Sequence, residues 1–146
     1  MLQSKHPQTN QFLNSPIFHD LKSFQELEAR IEQLPTNQEK GDALEVFALA
    51  YLATQKQFQV QHIWSHQDVP LSIKQELHLP SQDMGIDGIY IDIQGHKSAY
   101  QVKFRSDRAS LNWADELSTF MGLSDFAHQK VLFTNSDSIP TVMRDR

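Results

Sequence analysis

The chain has 146 residues, 39% of them hydrophobic and 21% charged, with a formal net charge of −5 and no cysteine. These proportions describe one ordinary globular domain with a modest core and exclude an intrinsically disordered chain. Without cysteine there is no disulfide framework and no thiolate zinc site, and the acidic balance counts against a free-standing duplex binder, whose affinity comes largely from neutralised phosphates.

No apolar run approaches the length needed to cross a bilayer, and the first residues, MLQSKHPQTNQ, lack the apolar centre of a secretory signal. A cytoplasmic location without membrane attachment is expected. Residues 1–18 are rich in Gln, Asn, Ser and Pro and read as a loose arm. From His19 to Leu34, apolar Leu21, Phe24, Leu27 and Ile31 fall at helical spacing, and Pro35 should stop that helix. A second helix is expected from about Glu39 to Gln55. Its stripe of Leu44, Phe47, Ala48, Tyr51 and Leu52 is widened by Val46, Leu49 and Ala50, as for a helix buried against a sheet.

FQVQHIW (58–64) alternates and is rich in β-formers, which predicts a strand. Pro70 and Pro80 break the next stretch, where a short helix around Ser72–Leu77 is expected. IDGIYIDI (86–93) and SAYQVKFR (98–105) flank a glycine-containing turn and predict a hairpin. LNWADELSTFMG (111–122) reads as a helix with Trp113, Leu117 and Phe120 on one face, more fitted to core than to base stacking. KVLFTN (130–135) reads as a short buried strand. Strands interleaved with helices indicate an α/β fold with a central mixed sheet flanked by helices. The expected division is an arm and helix over 1–38 and a main domain over 39–146, cut from a longer protein.

The hairpin carries the candidate chemistry. Asp87 opens one strand. Gln101 and Lys103 stand two apart on the other and so share a face, while Tyr100, Val102 and Phe104 point to the core. Antiparallel pairing in the right register sets the acid beside the amide and the amine. A carboxylate, the Gln101 amide oxygen and the Val102 carbonyl are oxygen donors of the kind Mg²⁺ takes along with water. Lys103 is suited to orienting or deprotonating a water, or to holding a phosphate as a point charge.

GID at 85–87 with QVK at 101–103 resembles the PD-(D/E)xK nuclease superfamily, in particular its Mrr-like restriction endonuclease branch, where the glutamate of ExK is commonly replaced by glutamine. The resemblance extends over roughly residues 39–135 and implies a restriction-endonuclease-like fold. It further implies DNA as substrate, Mg²⁺ as cofactor with Mn²⁺ able to substitute, and an ATP-dependent helicase or translocase alongside. It places Glu45, in KGDALEVFALAYL, as the supporting glutamate of the helix before the sheet. Ile86 stands where the family's name has proline, and the neutral Gln101 leaves the site less negative than an ExK site. A catalytically inactive domain of the same fold, used to bind DNA or a partner, is the alternative reading, and a structural adaptor a third.

Around the site, Lys97, Lys103, Arg105 and Arg108 cluster about the single acid Asp107, and Arg105 and Arg108 are candidate phosphate contacts. Asp83 reads as a loop carboxylate, and Asp92 alternates onto the face opposite Asp87.

Overall fold

The computed structural model describes residues 8–9, 12, 16–80, 86–109, 111 and 118–136. Helix α1 spans Phe24–Glu32 and α2 Asn37–Thr54, followed by strand β1 at Val60–Ser65 and the short helix α3 at Leu71–Glu76. Strands β2 (Gly88–Asp92) and β3 (Lys97–Lys103) form the hairpin, and α4 (Ser118–Leu123) leads to β4 (Lys130–Thr134). The expected elements are present in the expected order. Asp83, Trp113 and Leu117 lie outside the described residues.

Both long helices start later or earlier than apolar spacing alone suggests, because their starts are set by capping. Ser23 and Thr36 each accept a hydrogen bond from the backbone N–H three residues on, at Glu26 and Glu39, both at 3.1 Å. Each glutamate reaches back, Glu26 to the Lys22 N–H and Glu39 to the Thr36 hydroxyl. This reciprocal capping supplies acceptors to N–H groups that have none within the helix.

Among the described residues the sheet has four strands in the order β1-β2-β3-β4. The first three form an antiparallel meander, and β4 lies parallel to β3. Parallel pairing requires a crossover, and α4 lies within it. At the hairpin turn Gly95 takes a positive φ of 87°, and Asp92 accepts from the N–H groups of Gln94 and His96 at 2.9 and 3.0 Å. Asp92 is therefore a turn-forming residue.

The sheet is covered on both faces. One core joins Leu27 and Ile31 of α1 and Leu44, Ala48, Leu49 and Leu52 of α2 to Ile63, Tyr90, Tyr100 and Val102 of the sheet. The other joins Ile73 of α3 and Phe120 and Met121 of α4 to Ile89 and Ala99. Every second residue of β3 thus faces the opposite layer, as the pleat demands. Three departures concern exposure, the first being that β4, expected to be buried, is half-buried along its whole length because it closes the edge of the sheet among the described strands. Ile93, the last residue of the run expected as the first hairpin strand, lies beyond β2 and is exposed at the turn. Within the segment expected to be a loose arm, Phe12 and Ile17 are buried in the α1–α2 core, because an apolar side chain on a polar segment still gains by leaving water.

Candidate active site

The site forms where the β2–β3 ladder stops. Gly88 pairs with Tyr100 and Ile89 with Ala99. One step further along this register sets Asp87 across from Gln101. Asp87 is fixed by its backbone on both sides: its N–H donates to the Tyr100 carbonyl at 3.0 Å and its carbonyl accepts from the His66 N–H at 2.9 Å. Its side chain then takes the next place in the ladder, where Oδ2 accepts from the Val102 N–H at 2.6 Å. An ionised acceptor makes this a charge-assisted bond, stronger than a neutral one. The acid therefore sits against the Gln101–Lys103 backbone in a fixed position.

Val102 contributes twice. In an extended strand the N–H and C=O of one residue project to the same edge. With its N–H on Asp87, its carbonyl lies on the Asp87 side as well. Gln101 is 5% exposed, and its Oε1 is buried with no hydrogen-bond partner among the described residues. An unsatisfied buried acceptor costs about 1–3 kcal/mol. A hard cation beside Asp87 would satisfy that oxygen, so the residues present fit a divalent metal bound through one carboxylate, an amide oxygen and a main-chain carbonyl. Among the described residues no three His, Cys, Asp or Glu gather into a metal-holding group. The donor set suits an oxygen-loving ion that keeps several waters rather than zinc.

Lys103 ends β3, half-buried, two residues beyond Gln101 and hence on its face. Glu45 is half-buried on α2 between buried Leu44 and Val46, and α2 packs directly on β3. Burial pushes the Tyr100 phenol well above its ordinary value, and the negative charges of Asp87 and Glu45 push it further. Both carboxylates are thus within electrostatic reach of one buried hydroxyl, which donates to the Trp64 carbonyl at 3.3 Å.

Gly88 shows why the acid is followed by glycine. A Cβ at that position would collide with the Tyr100 ring and hydroxyl and with the Trp64 carbonyl. In sequence, Asp-Gly reads as turn chemistry; here it opens a strand, and the glycine is needed for close approach. Tyr100 had appeared only as core.

The two arginines after β3 have different surroundings. Arg108 grips Glu28 through Nε (3.1 Å to each carboxylate oxygen) and Nη2 (2.8 Å to Oε1). This pairing holds the Glu28 carboxyl below its usual range, against the opposing effect of burial, with help from Asn135. The backbone of Arg105 is bracketed by the Asn135 amide, which accepts from its N–H at 2.7 Å and donates to its carbonyl at 2.8 Å. Asn135 also donates to Glu28 at 2.6 Å. Its position directly after an apolar strand was the one signal of this role in the sequence.

The family model described as restriction endonuclease matches residues 52–143, which takes in all four strands with Asp87, Gln101 and Lys103 and begins after Glu45. No curated protein and no solved structure matches the chain.

Proposed function

The chain belongs to the restriction endonuclease family, with an Mrr-like domain, and from that premise we propose that it hydrolyses DNA phosphodiesters with Mg²⁺, Mn²⁺ being able to substitute. The observation that carries this reading is the Asp87 carboxylate seated on the Val102 N–H beside the buried, unpartnered oxygen of Gln101. Asp87, Gln101 and the Val102 carbonyl would hold the ion, which when bound would supply Lewis-acid polarisation of the phosphate and activation of water.

The chain's own residues do the remaining work. The Val102 N–H and the backbone of Asp87 keep the carboxylate in place before substrate arrives, so little reorganisation is needed at the moment of reaction. Lys103 orients the attacking water and meets negative charge as it builds on the phosphate oxygens. Glu45 supports the site from α2. Arg105 supplies positive charge next to it, and Arg108 secures the local backbone through Glu28. With a net charge of −5, the domain is delivered to DNA by a linked or associated ATP-driven helicase or translocase, as part of a longer cytoplasmic protein whose nuclease portion is residues 39–146.

The test is nicking or cleavage of supercoiled plasmid with Mg²⁺ or Mn²⁺. Asp87→Ala and Lys103→Ala should each lower the rate by about a hundred-fold or more. Wild-type rates in both variants would remove this mechanism. The neutral Gln101 favours a second reading, an inactive nuclease fold that binds DNA or a partner. That reading requires DNA or protein association without metal-dependent cutting and no calorimetric Mg²⁺ site.

A further inference from the structure

A polar cavity of about 280 Å³ lies between the first turn of α2 and the segment leaving β3, lined by Asn37, Lys40, Phe104, Arg105, Ser106 and Ala109. Two cations, a hydroxyl and an amide make up most of its wall. Lys40 donates from Nζ to Ser106 Oγ at 3.4 Å and to Glu32 Oε1 at 3.3 Å, with its own side chain only 15% exposed. Its ammonium is thus drawn in from water. Glu32, which neutralises it, stays about a third exposed at 35%, and so is free to swing into solvent at small cost.

The cavity's place relative to the catalytic residues gives it a meaning. Lys40 precedes Glu45 by five residues on α2, about 7.5 Å along the helix axis. Arg105 follows Lys103 by two residues in backbone that is still extended (φ −124°, ψ 122°), about 7 Å further on. The cavity is thus walled by two separate elements, each only a few residues along the chain from a residue assigned to the site.

We propose that this cavity is a phosphate subsite: it receives the DNA backbone phosphate neighbouring the one that is cut, bound by Lys40 and Ser106 with Arg105 adding positive charge. Glu32 occupies Lys40 in the absence of DNA and is displaced by the entering phosphate. The subsite rests on the endonuclease reading above and adds a positioning role for residues outside the catalytic group. It also supplies a chain of net negative charge with a local anchor for a polyanion.

The experiment is a salt titration of duplex-DNA binding by the full chain without divalent metal, so that no strand is cut. Wild type, Lys40→Gln, Glu32→Gln and the double variant are compared. Lys40→Gln should reduce the slope of log K against log salt by about 0.9 and weaken binding roughly five-fold at 0.15 M salt, the values for one lost phosphate contact. Glu32→Gln should strengthen binding several-fold, a direction misfolding does not produce, and this gain should vanish in the double variant. In Mg²⁺, Lys40→Gln should raise KM while leaving kcat near wild type. An unchanged slope, or additive effects of the two substitutions, overturns the subsite. If wild type still nicks plasmid under that outcome, the nuclease reading survives; if wild type neither binds nor cuts DNA, both fall.

Discussion

At the residue scale, Gln101 sets stability against function. Its buried oxygen has no partner among the described residues, so replacing it with an apolar side chain of similar size removes a penalty of about 1–3 kcal/mol. Gln101→Leu should therefore raise the metal-free Tm while abolishing the Mg²⁺-dependent increase expected of wild type, as measured by thermal melts with and without the ion. Gln101→Glu should do the reverse. A second carboxylate beside Asp87 lowers the metal-free Tm by like-charge repulsion and enlarges the stabilisation by Mg²⁺. Equal responses to Mg²⁺ in all three proteins would show that residue 101 is no ligand. Gly88→Ala drives a methyl into Tyr100 and the Trp64 carbonyl, and should cost about 1–3 kcal/mol in chemical denaturation.

At the scale of elements, the cluster of Glu28, Arg108 and Asn135 joins α1, the end of β3 and the end of β4. Because Arg108 holds the Glu28 carboxyl below its ordinary 4.5, the stabilising effect is present above that value and is lost as pH falls through the lower folded value. Tm should drop more steeply below pH 4.5 in wild type than in Glu28→Gln, and the two curves should run parallel between pH 6 and 8. The elements themselves were mostly readable from the sequence. The hairpin was clear from two alternating runs around a glycine turn, and α2 from apolar residues spread around its circumference. The cluster was not readable, since a glutamate, an arginine and an asparagine far apart in sequence carry no periodic signal of their meeting. The Glu28–Arg108 pairing also gives Arg108, a candidate phosphate contact by its position in the sequence, a partner within the protein.

At the scale of the whole molecule, the polar composition of the first residues concealed their part in the core. Phe12 and Ile17 are 1% and 4% exposed. Phe12→Ala should cost about 3 kcal/mol, a fall in Tm of roughly ten degrees for a domain of this size. An unchanged Tm would restore the view of that segment as a detachable arm. For the site, spacing alone placed Asp87 opposite Gln101 and Lys103 on one face, because a two-residue period leaves little freedom once the register is set. The Val102 N–H on the acid and the role of Tyr100 depended on where the ladder ends, which no local pattern specifies. The hydrogen bond from Asn135 to Glu28 spans 107 positions of the chain, and loop-closure entropy makes such a contact late to form. During synthesis, therefore, the contact that ties the Arg105 backbone to Glu28 through Asn135 closes only after β4 has left the ribosome, when most of the sheet is already available to pair.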